Sequence, residues 1–568
     1  MEPYFWRKSY DPGLKDLDPK EWEITYNDAF KPTFKEYPNA FALEYLGVEM
    51  TFRELDQAAN QFAQMLIQNG FGKDDIIGIS LPNCPQFIIA VLGGFRAGCA
   101  ISGVSPLLSM DELEFQLQDL SSGGKKVAFL TLDAVFEARL VKIADRLEKV
   151  SLVITTNIVD YLSKLKQFLA KKLKKVPMGR VTALSNKTVI NFKDILKIEA
   201  VAPPNVSISP DDIAFIMYTG GTTGDPKGAM ITHRSGVADL LISQQWLGWA
   251  EMRGQHKALS GFPFFHIGGM FFCLNAIYLG WAQILVPNPR DTDFICNKIA
   301  KYSPNYLVNV PSLCIMLMNN PRFRTLDHSQ FRNLITAAAP FPKEKQEEFQ
   351  QMTGGEVIEC YGMTECSPLS AMNPSRGKKK LGTVGLPLLN TYIKLIDPAT
   401  KAPVDIERPG EICVKGPQIM KGYYNNPKET AIAIDSEGYM HTGDVGIFDE
   451  DGYLRIVDRT KDMINVSGFK VFSKKVEDAL SQHSAVDMIA LIGLLNPKSP
   501  GSEIVKAYMT VKPGYPNRDK PFKIQEEILA FAKEKLAPYE VPKILEIREE
   551  LPLRSEEHTS ELQSPNTI

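Results

Sequence analysis

Ile213-Ala214-Phe215-Ile216-Met217-Tyr218-Thr219-Gly220-Gly221-Thr222-Thr223-Gly224-Asp225-Pro226-Lys227-Gly228 is the stretch whose reading decides the fold. Its first five residues form an apolar run of the length and composition of a buried strand. The strand delivers a loop in which glycines let backbone N–H groups close on an anion, threonine hydroxyls add donors, and Lys227 supplies a mobile positive charge. The expected partner is a phosphate-like anion. The loop does not fit the Walker pattern, which ends in Gly-Lys-Ser/Thr, because Pro226 precedes Lys227 and Gly228 follows it. The competing reading is an ordinary surface turn, since glycine and threonine clusters are common loop composition.

Outward from this loop, from about residue 40 to 460, short apolar runs alternate with helical patterns. Ile76-Ile77-Gly78-Ile79-Ser80, for example, reaches a break at Leu81-Pro82 before the helical Gln86 to Phe95. Such alternation predicts an α/β protein with parallel sheets flanked by helices and ligand sites beyond the carboxyl ends of the strands. A chain of 568 residues exceeds what one core organises. The charged stretch Asp458 to Asp462 marks the expected joint, giving a large domain over 1–458 and a small α+β domain over 459–553. Helices are expected in the small domain at Lys474 to Gln482 and Ile524 to Leu536.

The composition, 44% apolar and 23% charged with a net charge of -3, is that of a globular protein and argues against a nucleic-acid partner. Eight cysteines without a Cys-x-x-Cys pair, no signal peptide and no apolar run of spanning length predict a reducing cytoplasm. Cys360 and Cys366 read as buried small hydrophobes. Between Tyr161 and Val176, Leu162, Leu165, Leu169, Leu173 and Val176 recur at helical spacing among Lys164, Lys166, Lys171, Lys172, Lys174 and Lys175. This basic amphipathic pattern has two readings: peripheral contact with the inner face of an anionic membrane, or a surface helix packed on the large domain.

The Thr-Gly-Gly-Thr-Thr-Gly-x-Pro-Lys-Gly string resembles the phosphate loop of the adenylate-forming (AMP-binding) superfamily: acyl-CoA synthetases, adenylation domains of peptide synthetases and beetle luciferases. Further blocks follow in that family's order: Phe262-Pro263-Phe264-Phe265-His266, Tyr361-Gly362-Met363-Thr364-Glu365, His441-Thr442-Gly443-Asp444, and Asp458-Arg459-Thr460-Lys461-Asp462 running into Val466-Ser467-Gly468-Phe469-Lys470. Within the superfamily the chain looks closest to bacterial long-chain fatty acid-CoA ligases. The resemblance implies ATP-dependent activation of a fatty acid to acyl-AMP, then transfer to CoA, with Mg²⁺ assisting and a mobile small domain.

Carried over position by position, Gly220, Gly221, Thr222, Thr223, Gly224 and Lys227 hold the β- and γ-phosphates, and Thr219 and Glu365 sit close to the metal. Tyr361 stacks on adenine within a nucleotide-binding block that includes Gly362 and Thr364. Ala338, in Thr336-Ala337-Ala338-Ala339-Pro340, supplies backbone opposite, where many relatives carry glycine. Asp444 accepts from the ribose hydroxyls with Arg459 assisting, His266 borders the acyl pocket, Lys461 is the hinge, and Gly468 lines the pantetheine tunnel. Without the resemblance, Glu365 reads as a solvated acid, Tyr361 as a half-buried aromatic, His266 as a satisfied core histidine and Gly468 as a turn glycine. Two alternative functions stand beside the ligase: acyl transfer to a carrier protein, and a catalytically weak adenylate-binding protein.

The pattern departs from the family at two places. Lys475 stands where relatives often place glutamate, and the Leu-Pro-x segment Leu551-Pro552-Leu553 is not followed by the Gly-Lys whose lysine bridges carboxylate and α-phosphate. The polar stretch Arg554 to Ile568 instead reads like translated adapter sequence. Removing one positioned charge donor costs about 100- to 1000-fold in rate. The chain as written is therefore expected to make palmitoyl-CoA readily from palmitoyl-AMP and CoA, and slower by that factor from palmitate, ATP and CoA. Equal rates in the two assays would mean that another residue supplies the charge.

Overall fold

The computed structural model describes residues 4–163, 167, 176–199, 202–219, 225–339, 341–460, 462–466, 469–496, 502–516 and 518–551. The helix expected over 161–176 therefore lies outside the described residues except at 161–163, 167 and 176, and Gly220 to Gly224, Lys461, Gly468 and the tail from Arg554 lie outside them altogether. Contacts divide the chain into two units. One comprises Trp6–Tyr392 with Lys415–Met440; the other comprises the described residues up to Phe5, Ile393–Val414 and the described residues from His441 onward.

Two large sheets organise the first unit. One runs, from edge to edge, through Gly422–Tyr423, Lys227–Thr232, Ile213–Thr219, Ala100–Gly103, Ile76–Ser80, Val127–Leu132, Val150–Thr156 and Thr188–Asn191. Its strands pair in parallel from Ile213–Thr219 to Thr188–Asn191. Every residue of Ile76–Ser80 and Val127–Leu132 is buried, the signature of strands covered on both faces. The second sheet carries Glu356–Gly362, Asn333–Thr336, Tyr306–Asn309, Lys257–Ser260, Ala282–Leu285 and Phe41–Tyr45 in parallel. The first sheet is antiparallel at its Gly422–Tyr423 edge and the second at both edges, a feature the expectation of parallel sheets did not contain.

The helices are specified locally. Thr51 and Glu54 form a reciprocal capping box at the start of Phe52–Gln68. Pro85 opens Pro85–Ala97, and Gly98, at φ +79°, ends it in the left-handed conformation. These two helices pack against each other at Gly93, where a Cβ would stand 2.8 Å from Phe62 Cβ and 2.9 Å from the Ala59 carbonyl oxygen.

In the second unit the strands Tyr392–Ile396, Gly410–Lys415, Met440–Phe448 and Leu454–Arg459 form one sheet, continued in the chain by a small α+β core. Helix Ser473–Ser481 contributes Val476 and Leu480, and helix Pro521–Lys535 contributes Ile524, Ile528 and Ala532, all buried with Val505, Ala507 and Met509. The four-residue spacing puts each helix's apolar side chains on one face. Lys475, the departure from the family pattern, pairs its Nζ with the buried Glu540 at 2.6 Å.

The tight passage at Gly93 gives a prediction. Gly93→Ala forces the two helices apart and is expected to lower stability by about 1–3 kcal/mol, the usual cost of overpacking. Urea unfolding with an unchanged midpoint would show that the packing yields freely.

Candidate active site

The strand Ile213–Thr219 returns antiparallel as Lys227–Thr232, with Thr219 directly opposite Lys227 and Tyr218 opposite Gly228. Thr219 Oγ1 donates to the Lys227 carbonyl at 3.4 Å, so the two residues flanking the phosphate loop close its base. Lys227 Nζ lies 2.7 Å from Glu429 Oε2 and 4.7 Å above the centre of the Tyr423 ring. The Tyr423 hydroxyl in turn donates to Glu365 Oε1 at 2.6 Å. Burial first, and the Glu365 carboxylate second, hold the Tyr423 hydroxyl well above the usual phenol range, so it remains a donor. Glu365 itself is 4% exposed, on the short helical turn Thr364–Cys366, and its carbonyl accepts from Met420 N at 2.8 Å. It is therefore not a solvated surface acid.

Tyr361 is buried at the end of Glu356–Gly362. Glycine at 362 is required by close approach, because a Cβ there would lie 1.8 Å from the Pro368 carbonyl oxygen. Glu359, on the same strand, accepts from Phe341 N at 3.2 Å and Gln346 Nε2 at 2.7 Å. Burial, only partly offset by those donors, pushes the Glu359 carboxyl up to about 7. This network ties the strand that carries Tyr361 to the chain just after the Thr336–Pro340 segment. Within that segment Ala338 is exposed and adopts φ +74°. That left-handed backbone is the one glycine takes without strain.

His266 is exposed and caps the helix Ile267–Leu279, its Nδ1 accepting from Gly268 N at 3.2 Å while its ring stacks on Phe262 with centroids 5.2 Å apart. It is not a core histidine. Asp444 and Arg459 belong to the second unit and face each other across the antiparallel pair Met440–Phe448 and Leu454–Arg459, with Nε 3.2 Å from Oδ1. Thr442 Oγ1 accepts from Asp444 N and donates to the Ile412 carbonyl, which fixes the turn before the carboxylate.

The structure thus joins Thr219 with Lys227, and Asp444 with Arg459. Tyr423 and Glu429 were not anticipated. They reach Glu365 and Lys227 because Gly422–Tyr423 pairs with Ala229 and Met230, a contact between distant segments that no linear motif announces.

Comparison with known proteins gives the family. The AMP-binding enzyme family matches residues 30–424, and the AMP-binding enzyme C-terminal domain matches 475–557. The chain belongs to the AMP-binding enzyme family. It is 36% identical over 554 residues to a long-chain-fatty-acid--CoA ligase of Escherichia coli O157:H7, covering 96% of this chain and 95% of that one. It is 35% identical to the Bacillus subtilis (strain 168) protein of the same description, over 91% and 90% of the two chains. Among solved structures, the anthranilate CoA ligase AuaEII in complex with anthranoyl-AMP matches with a TM-score of 0.79 at 22% identity, covering 94% of this chain and 96% of that one. ATP-bound MatB from Rhodopseudomonas palustris matches with a TM-score of 0.76 at 24% identity, over 93% and 96% of the chains. At those identities the structures attest the shared fold.

The backbone at Ala338 generates a prediction for this family member. Left-handed geometry costs a side-chain-bearing residue about 1–2 kcal/mol, whereas adding a glycine to the unfolded chain costs about 0.4–1 kcal/mol. Strain relief wins, so Ala338→Gly is expected to raise the urea midpoint slightly. A clear fall in the midpoint would contradict the strain.

Proposed function

We propose that the chain couples a fatty acid to CoA at the expense of ATP: the carboxylate attacks the α-phosphorus to give acyl-AMP and pyrophosphate, and the CoA thiol then displaces AMP. The observation that carries this reading is the base of the phosphate loop, where Lys227 and the buried Glu365 are held by the same tyrosine. Likeness to the bacterial long-chain-fatty-acid--CoA ligases over nearly the whole chain supports the fatty acid as the acid and CoA as the acceptor.

Both reactants of the first step are anionic, so positive charge has to be brought to the phosphates. Lys227 does this with its ammonium, which leaves Glu429 for the β- and γ-phosphates, while Gly220 to Gly224 offer backbone N–H groups. The hydroxyl of Thr219 and the carboxylate of Glu365 are hard oxygen donors of the kind that suits Mg²⁺, and Glu365 is kept in place by the Tyr423 hydroxyl. Mg²⁺ held there supplies charge neutralisation for the departing pyrophosphate. Tyr361 stacks on adenine, with the Ala338 backbone beside it and Gly362 and Thr364 completing that block. Asp444 accepts from the ribose hydroxyls, and Arg459 orients it. His266 borders the acyl chain next to the reacting carboxylate. Lys461 and Gly468 serve the second step, as hinge and as lining for the pantetheine arm.

Among the described residues no helix is long and apolar enough to cross a membrane. Contact with lipid is proposed through the basic 161–176 segment alone.

Asp444→Ala is expected to weaken ATP binding by about 1.5–3 kcal/mol, the range for a hydrogen bond to a charged group. Equilibrium binding of ATP checks this, and unchanged affinity would remove Asp444 from the nucleotide site. Palmitoyl-CoA formed from palmitoyl-AMP only when free CoA is present supports the ligase; no CoA-dependent product would favour a carrier-protein acceptor.

A further inference from the structure

Away from the residues assigned above, three side chains with metal-ligand chemistry converge on the sheet of the second unit. Glu411 and Cys413 are two apart on the strand Gly410–Lys415, so both leave it on the same face. His441 reaches them from the neighbouring strand Met440–Phe448. One ligand atom of each lies within 4.8 Å of the other two. His441 Nδ1 stands 3.5 Å from Glu411 Oε1 and 3.6 Å from Cys413 Sγ.

Those two separations are informative. A hydrogen bond between imidazole and carboxylate settles at about 2.7–3.2 Å. Donors sharing a tetrahedral zinc ion stand further apart: Zn–N, Zn–O and Zn–S bonds of ordinary length place N and O about 3.4 Å and N and S about 3.6 Å from each other. The Glu411 edge therefore matches a cation-centred tetrahedron better than a closed ion pair, while the Cys413 edge, which is also of thiol–imidazole hydrogen-bond length, fits the same tetrahedron. We propose that Glu411, Cys413 and His441 form a binding site for a thiophilic divalent cation, with Zn²⁺ as the chemical match.

The donor set selects that ion. A thiolate and an imidazole disfavour Mg²⁺ and Ca²⁺, and the carboxylate disfavours Cu(I). Glu411 is 8% exposed and Cys413 is buried, so two donors are already withdrawn from water, whereas His441, 20% exposed, leaves an approach from solvent. Lys401 Nζ lies 3.2 Å from Glu411 Oε2, the other oxygen of that carboxylate, and at 59% exposure it can swing into solvent as the cation arrives. Coordination displaces the Cys413 thiol proton, and a water fills the fourth position. His441 precedes Asp444 by three residues on the same strand, and Thr442 between them is bonded to Ile412 between the other two ligands. Occupation therefore fastens the segment that carries Asp444. The site does not depend on the assignment of the reaction.

The test uses the untagged full chain, stripped with a chelator and titrated with Zn²⁺ against a chromophoric competitor, then with Co²⁺ as a spectroscopic probe. One equivalent of Zn²⁺ is expected to bind, and Co²⁺ to give a thiolate charge-transfer band. Cys413→Ser is expected to abolish the band and weaken Zn²⁺ binding by at least about 100-fold, more than the loss of an outer-shell partner costs. Cys99→Ser, at a buried thiol outside the cluster, is expected to retain both. Glu411→Gln keeps the side chain's shape and serves where Cys413→Ser does not fold; its Zn²⁺ affinity is expected to fall at least tenfold. No stoichiometric Zn²⁺ binding to the wild-type chain, or equal affinity in the folded variants, would overturn the site.

Discussion

The pairing of Gly422–Tyr423 with Ala229 and Met230 is the constraint on which the candidate site depends. It fixes one aromatic ring so that its face meets Lys227 and its hydroxyl meets Glu365. Glycine precedes that tyrosine because a Cβ at 422 would lie 2.7 Å from Thr430 Cγ2, and Thr430 Oγ1 accepts from Tyr423 N at 2.8 Å. Displacing this two-residue strand would disturb the phosphate-loop lysine and the buried carboxylate together. A lysine and a glutamate far apart in sequence are in this way coupled by a residue that touches both.

The two acids in this network are held differently. Glu429 and Lys227 are 39% and 31% exposed, and a pair so open to water contributes about 0–1 kcal/mol. In the proposed nucleotide-binding role, an incoming polyphosphate, carrying several charges, would replace that partner at little cost, so Glu429 restrains the lysine without locking it. Glu365 is buried beneath a hydroxyl donor, and leaving it without a partner would cost about 1–3 kcal/mol or more. A lysine free to exchange partners beside a carboxylate fixed in place is the combination that a site binding first a nucleotide and then a second substrate requires.

The strands that are buried along their whole length were legible as apolar runs, and Ile76–Ser80 appears with the limits its sequence suggested. The helix expected at Ile524 to Leu536 begins earlier, at Pro521, because proline is at home in a first turn where no intrahelical donor is needed. Local motifs announced Lys227, Tyr361, Glu365, Asp444 and Arg459, since each sits in a short block with its own turn chemistry. Tyr423, Glu429 and the Glu411–Cys413–His441 cluster were invisible in the same text. Their meaning arises from register between strands distant in the chain, which alternation of apolar residues does not encode. At His266 the structure removes one of two readings: the residue caps a helix at the surface, so the core histidine expected without the family resemblance does not apply.

All eight cysteines of the chain are buried. Burial pushes the Cys84 thiol up to about 12 and those of Cys99, Cys273, Cys314 and Cys360 higher still. The thiolate is the nucleophilic form, so these groups are poor nucleophiles as well as inaccessible ones. An acyl adenylate is an electrophile that any reactive thiol could intercept. A protein that generates one while waiting for CoA gains protection from acylating these five thiols, which are kept protonated in apolar surroundings. They do not compete with a thiol delivered from solvent.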